Sequence, residues 1–378
     1  MAIGLYIHVP FCVKKCNYCD FISYPYDAGL AASYVSALGR EMALHAAGLT
    51  TEERSVRSVY LGGGTPTVLQ DSQLVEIIES CRKNFTIAAD AEITVECNPG
   101  TVDFRKLAGV RRAGVNRLSI GVQAHQQNLL DRLGRIHGWK NVEETVDSSR
   151  QAGFENISLD LIFGIPGQSL RDWQDTLKNI LALSPQHVSA YNLKIEPDTP
   201  LFRDVASGYL LPCDEDLELE MFWYGIDCLA GKGFNHYEIS NFALPGREAR
   251  HNLIYWRNEE YLGLGPAAHS MLRGQRFSNE EKVEVYIKKL HNNQPVVGER
   301  QQLSVEEQIS ETVFLGLRLI EGLDLSNFAQ RFGKPVERIF GAELQKLSNL
   351  GLIEITENHI KLTEIGLPVA NEVFAEFV

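Results

Sequence analysis

Short apolar runs alternate with amphipathic stretches through the first half of the chain. Runs at Ile3–Val9, Ser58–Leu61, Glu92–Glu96, Arg117–Gly121, Ser158–Leu161 and His187–Asn192 read as strands. Between them, apolar positions recur at helical spacing over Ala31–Ala47, Asp71–Asn84, Phe104–Arg112, Val142–Ala152 and Leu170–Leu183. Strands that each lead into a helix imply a parallel sheet with right-handed crossovers. Six such units are fewer than the eight of a closed barrel. The pattern therefore predicts an α/β fold, an open, partial (β/α)6 barrel over residues 1–200.

Past Asp198 the alternation lapses. Asp214–Lys232 is a long helical pattern, and the segment after it, to Met271, is rich in aromatics and histidines. Residues 201–300 are expected to flank the barrel. From 301 to 378 the character changes again. Val305–Glu321 is a candidate amphipathic helix, followed by two shorter helical stretches and a hairpin that turns at Glu357-Asn358. That order outlines a C-terminal helical, winged-helix-like domain. Such domains often enter DNA grooves, but this stretch carries 6 Lys and Arg against 12 Asp and Glu. A structural or docking role fits that charge better.

Charge and composition narrow the class. The 378 residues have a net charge of −13 and a hydrophobic fraction of 44%. That is an ordinary globular balance, without the basic surface that gripping phosphate backbones requires, so no nucleic-acid partner is expected. No apolar run is long enough to span a bilayer, and the start MAIGLYIHVPF lacks the form of a signal peptide. A cytoplasmic location is expected.

Three of the seven cysteines lie in the eight residues from Cys12 to Cys19, directly after the first strand. In a reducing compartment such clustering points to a metal or to catalysis before disulfides. Spacings of three and two residues let one loop present three thiolates to one centre, as iron–sulfur clusters require. Position 21, where a fourth cysteine is looked for, is Phe21. Three ligands on a 4Fe–4S cluster leave one iron open for a bound molecule. The competing metal reading is a zinc site completed by His8, although zinc sites usually pair two knuckles and no second CxxC occurs.

This CxxxCxxC loop, with an aromatic before its last cysteine, resembles that of the radical S-adenosylmethionine superfamily. The resemblance implies that the open iron is chelated by the amino and carboxylate groups of S-adenosylmethionine. It also implies an electron donor that reduces the cluster, so that the sulfonium is cleaved to a 5′-deoxyadenosyl radical. Tyr18 would lie near the adenine.

Further candidates fall at successive strand ends, where a barrel gathers its ligand contacts. Gly62-Gly63-Gly64-Thr65-Pro66 offers exposed backbone to the methionine end of a ligand. Glu96 suits ribose hydroxyls, and Gln123, Arg135 and Asp160 follow in order. Taken singly, each has an ordinary reading as a cap, a turn or a surface pair. Together they resemble the oxygen-independent coproporphyrinogen III oxidase branch, over about residues 3–270. That resemblance carries S-adenosylmethionine contacts to Tyr6, Tyr18, Gly63, Gly64, Thr65, Glu96, Gln123, Arg135 and Asp160.

The branch contains true oxidases and haem chaperones of the HemW type. Oxidases have a fourth cysteine where this chain has Phe21, and a long N-terminal extension, whereas the first strand here begins at Ile3. His251-Asn252-Leu253-Ile254-Tyr255-Trp256 resembles the HNxxYW motif of the chaperones. An imidazole among aromatic and aliphatic residues suits haem, so His251, Tyr255 and His269 are candidate haem contacts. Otherwise, His251 and Asn252 are ordinary hydrogen-bonded residues. The resemblance implies haem as cargo and apo-haemoproteins as acceptors, with porphyrin oxidation as the alternative. A homodimer and a peripheral membrane contact are both compatible with the sequence.

Overall fold

The computed structural model describes residues 2–378. The barrel strands are near-continuous apolar runs, the pattern of a parallel sheet covered on its outer face and filled on its inner one. β1 (Ile3–Val9) is buried at six of its seven positions. β2 (Phe11–Cys12) and β3 (Tyr24–Pro25) pair with each other in parallel and clamp the ends of the cysteine loop. Then follow α1 (Ala28–Ala47), β4 (Ser55–Gly63), α2 (Asp71–Asn84), β5 (Thr86–Cys97), α3 (Phe104–Arg112) and β6 (Arg117–Gln123). The units continue through α4 (Gln127–Arg132), α5 (Trp139–Gln151), β7 (Ile157–Phe163), α6 (Leu170–Ala182) and β8 (His187–Asn192). β1, β4, β5, β6, β7 and β8 are all parallel neighbours in that order. Helix starts are set locally: Asp27 caps α1, and Ser169 with Asp172 forms a capping box on α6.

The middle of the chain extends this sheet at both edges. After α7 (Pro200–Ala206) and α8 (Glu215–Ala230), the antiparallel pair β9 (Asn235–Glu238) and β10 (Asn241–Ala243) joins the β8 edge. A short helix, α9 (Arg250–Trp256), leads to β11 (Tyr261–Leu264), which pairs parallel to β1 on the opposite edge. β12 (His269–Leu272), β13 (Gln275–Asn279), α10 (Val283–His291) and β14 (Val297–Gln302) follow. The sheet thus has 12 strands in the order β14-β13-β12-β11-β1-β4-β5-β6-β7-β8-β10-β9. Residues 201–300 are woven into the barrel sheet, with β11 as a seventh parallel strand. Buried Glu41 of α1 fastens this extension, accepting from Gly265 N (2.8 Å), Asn279 Nδ2 (2.6 Å) and Tyr286 OH (2.5 Å).

A second apolar core belongs to the C-terminal domain. It is built from α11 (Val305–Gly316), β15 (Leu323–Asp324), α12 (Leu325–Phe332), α13 (Glu337–Asn349), β16 (Ile353–Ile355), β17 (His359–Leu362) and α14 (Ala370–Ala375). Its three-stranded sheet runs β15-β17-β16, the wing of the expected outline. The first helix is shorter than its amphipathic pattern, ending at Gly316 instead of Glu321. The residues beyond it pair with the barrel sheet instead, through Ile239 N to Arg318 O (3.1 Å) and Ile320 N to Tyr237 O (3.1 Å). Arg318 also stacks 4.2 Å over the Trp256 ring, joining the two cores. Among the described residues no helix is long and apolar enough to cross a membrane.

Candidate functional site

The parallel strands place their C-terminal ends around one mouth, and the cysteine loop lies across it. Its conformation is held from outside: Asn17 N donates to Leu133 O (2.9 Å), Asn17 Nδ2 to Arg132 O (3.0 Å), and Leu201 N to Asn17 O (2.9 Å). Cys12, Cys16 and Cys19 are free, half-buried thiols. All three line a cavity of about 420 Å³ together with Tyr18, Gly63, Gly64, Thr65, Glu96, Gln123, Arg135 and Asp160. Tyr6 stands behind that wall, its ring 6.3 Å from Tyr60 and its hydroxyl 3.0 Å from His8 Nδ1.

The residues present fit a cluster. Thr65 Oγ1 donates to Cys12 Sγ (3.7 Å) and Arg135 NH1 to Cys16 Sγ (3.6 Å), the contacts that sulfur ligands of iron attract. Burial pushes the Cys12 thiol up and that of Cys19 up to about 11, so binding of a metal centre there would have to displace protons. Among the described residues no three Cys, His, Asp or Glu side chains converge as the ligands of one metal ion do. Thiolates on separate irons of a cluster need no such convergence. His8 is committed elsewhere, with Nε2 2.9 Å from Ile22 O and Nδ1 on Tyr6. A zinc site completed by His8 therefore finds no support.

The glycines have a steric reason. Gly63 has φ +106°, and a Cβ there would lie 2.5 Å from the His8 ring. A Cβ on Gly64 would meet Phe11 O at 2.6 Å. Only glycine lets β4 pass this close under the cysteine loop while presenting backbone to the cavity.

The polar wall is a connected network. Glu96 accepts from Tyr60 OH (2.8 Å) and Gly63 N (3.2 Å), and burial pushes its carboxyl up to about 7. Asn98 donates to Thr65 Oγ1 (2.8 Å) and accepts from Arg135 NH2 (2.7 Å), which links the cysteine loop, β4 and β5. Asp160 accepts three serine hydroxyls, from Ser119 (2.7 Å), Ser158 (2.9 Å) and Ser189 (2.8 Å). Gln123 adopts φ +68° just past a register shift in β6. A left-handed non-glycine residue at a bulge is an arrangement that re-aims a side chain, here into the cavity. Tyr60, Asn98 and the serines around Asp160 escaped sequence reasoning. Asn98 had a signal, since it follows Glu96 at the end of the same strand.

The haem candidates separate. His251 is 1% exposed, with Nδ1 2.9 Å from Ser58 Oγ and Nε2 2.9 Å from Tyr255 OH. Both ring nitrogens are occupied, and burial drives its pKa down to about 3. The imidazole, expected as a haem contact, lies beneath the barrel where α9 packs on β4, held there by Ser58 and Tyr255. Tyr255 shares that place, packed edge-on to Tyr261 at 4.7 Å. His269, by contrast, is exposed at the start of β12, on the mouth side of the sheet.

A cysteine loop over the mouth of a partial barrel defines a radical S-adenosylmethionine protein, and residues 6–180 match the Radical SAM superfamily. Residues 303–369 match the HemN C-terminal domain. The chain is 37% identical to the heme chaperone HemW of Bacillus subtilis, covering 99% of this chain and 98% of that one. It is 35% identical to the heme chaperone HemW of Lactococcus lactis, covering 99% and 96%. With the coproporphyrinogen III oxidase HemN of Escherichia coli, a radical SAM enzyme of solved structure, it shares 26% identity and a TM-score of 0.87, over 100% of this chain and 90% of that one. The chain belongs to the HemW family.

Proposed function

We propose that this protein is a cytoplasmic haem chaperone that binds haem and delivers it to apo-haemoproteins. The observation that carries the proposal is the near-full-length identity to relatives named heme chaperone. Phe21 supports it: this residue stands at the fourth-cysteine position of the oxidases and is 61% exposed on the cavity rim.

In this reading Cys12, Cys16 and Cys19 hold a 4Fe–4S cluster. Tyr18, Gly63, Gly64, Thr65, Glu96, Gln123, Arg135 and Asp160 bind S-adenosylmethionine, with Tyr6 backing the wall. A reduced cluster with an open iron supplies an electron for cleaving the sulfonium, which requires an external donor. Arg135 and Asn98 hold the cluster side of the cavity rigid. Glu96 orients hydroxyl donors, and Gln123 lines the same wall.

Haem, a flat apolar ring with two anionic propionates, suits the rim beside Phe21 and Tyr191, where Lys14, Lys15 and Lys194 stand near by. His269 is the proposed axial contact. Every residue named comes from one chain, so a homodimer is compatible but not needed. A membrane-bound acceptor would be met by peripheral contact alone.

The oxidase fold match favours a second reading, porphyrinogen oxidation, which Phe21 opposes. Anaerobically reconstituted protein titrated with haem should give a stoichiometric Soret band that passes to an added apo-haemoprotein. It should leave coproporphyrinogen III unchanged. Absence of stoichiometric binding, or conversion to protoporphyrinogen IX, overturns the proposal.

A further inference from the structure

Asn98 follows the last residue of β5 and joins the two side chains that donate to cysteine sulfurs. Its Nδ2 donates to Thr65 Oγ1 (2.8 Å), and its Oδ1 accepts from Arg135 NH2 (2.7 Å). Thr65 Oγ1 in turn donates to Cys12 Sγ (3.7 Å), and Arg135 NH1 donates to Cys16 Sγ (3.6 Å). Thr65 and Arg135 are both buried, so little solvent competes for these bonds.

The direction of every bond in this relay is fixed from the Arg135 end. A guanidinium has N–H groups and no acceptor. Arg135 therefore obliges Asn98 to turn its carbonyl oxygen toward it, which leaves the amide N–H2 for Thr65. The Thr65 oxygen accepts that bond, so its single hydrogen is left for Cys12 Sγ. Reversing the amide would set N–H2 against the guanidinium and draw the Thr65 hydrogen away from the sulfur. Both ends of the relay are anchored independently. Arg135 NH2 also donates to Gly121 O (2.7 Å), and Asn98 O accepts from Thr101 N (3.1 Å) and Thr101 Oγ1 (2.6 Å).

We propose that Asn98 is a positioning residue for the reduction potential of the cluster. It transmits the donor-only character of Arg135 to Thr65, and so keeps a hydrogen on Cys12 as well as on Cys16. Donors to ligand sulfur stabilise the added negative charge of the reduced cluster and raise its potential. The inference rests on the reading that Cys12, Cys16 and Cys19 hold a 4Fe–4S cluster.

The test is a redox titration of the reconstituted full-length protein followed by electron paramagnetic resonance. S-adenosylmethionine is left out, so contacts to that molecule cannot move the result. Wild type is compared with Asn98→Asp, Asn98→Ala, Thr65→Val, Thr65→Ser and the double variant Asn98→Asp/Thr65→Val. Aspartate has the shape of asparagine but only accepts, so it takes the Thr65 hydrogen away from Cys12. Valine removes that hydrogen, and serine keeps it.

Thr65→Val should lower the midpoint potential by about 59 mV, a tenfold change for one electron, and Thr65→Ser should hold it near wild type. Asn98→Asp should lower it at least as far, since a carboxylate also repels the added electron. The deciding quantity is the step from Asn98→Asp to the double variant. It should be near zero, because in that background Thr65 no longer serves Cys12.

Equal steps for Thr65→Val in both backgrounds would mean that the carboxylate acts by charge alone, and would overturn the relay. If Asn98→Asp takes up no cluster, Asn98→Ala decides: a lowered potential supports the relay, and a wild-type potential overturns it. Wild type that forms no iron–sulfur chromophore overturns the cluster reading itself, whereas unchanged potentials in cluster-bearing variants overturn the relay alone.

Discussion

The mouth and the floor of the barrel are built from similar residue types to opposite ends. At the mouth, Cys12, Cys16 and Cys19 sit half-buried on a loop held by bonds from elsewhere, and glycines bring backbone close beneath it. On the floor, His251 looks like a ligand by residue type, yet Ser58 and Tyr255 occupy both its nitrogens. Availability, not residue type, separates a ligand from a strut. A thiol facing a cavity can take a metal, whereas a doubly bonded imidazole under a sheet secures a helix.

Substitutions sharpen this contrast, beginning with the largest effect. Changing Cys12, Cys16 or Cys19 to Ala is expected to abolish the visible iron–sulfur absorption after anaerobic reconstitution while leaving the far-UV circular dichroism unchanged. Retention of a full cluster by any one variant would remove that cysteine from the ligand set.

Also at the mouth is Gly64→Ala, whose new Cβ would lie 2.6 Å from Phe11 O and 2.9 Å from Val9 O. It should cost about 1–3 kcal/mol of stability as overpacking against backbone and lower S-adenosylmethionine affinity in calorimetric titration. Wild-type affinity would mean that the glycine run does not approach the ligand.

The two histidines then divide. His251→Ala should lose about 2–4 kcal/mol in denaturant unfolding, through a cavity and two broken bonds, yet keep its Soret band. His269→Ala should melt like wild type and lose haem. The reverse pattern would restore the ligand role to His251.

The same two regions carry a pair of opposed pH dependences. His251 titrates near 3 in the folded protein against its ordinary 6.5, so the unfolded chain binds more protons between those values. Its contribution is complete above pH 6.5 and declines as pH falls toward 3. Glu96 titrates near 7 against its ordinary 4.5, so the folded state holds the extra proton. Its contribution is complete below pH 4.5 and is lost as pH rises through 7. Each slope is at most about 1.4 kcal/mol per pH unit. Thermal melts should find Glu96→Gln gaining on wild type from pH 5 to 8, and His251→Gln gaining on it from pH 7 to 4. Parallel curves would place both groups in solvent.

The barrel was legible because its strands are short apolar-rich runs that each lead into an amphipathic helix. Ile3–Val9 and His187–Asn192 fall where the pattern places them, as do the helices Asp71–Asn84 and Phe104–Arg112. The edge strands were not. Asn241–Ala243 has three residues and Tyr261–Leu264 four, too few for a period, and β-pairing with distant partners alone defines them. Site candidates at strand ends were legible for a related reason, since parallel strands deliver their C-terminal ends to one mouth. The place of His251 was hidden because HNxxYW puts His251 and Tyr255 four residues apart. That spacing on a helix brings the two side chains together whether or not a ligand is near.

The most direct measurement is the electron paramagnetic resonance spectrum of the reduced, reconstituted protein, recorded with and without S-adenosylmethionine. Three cysteine ligands leave one iron for the added molecule, so the signal is expected to change shape on addition, and to do so less in Arg135→Ala. A cluster signal that stays identical with saturating S-adenosylmethionine would contradict an open iron at this mouth.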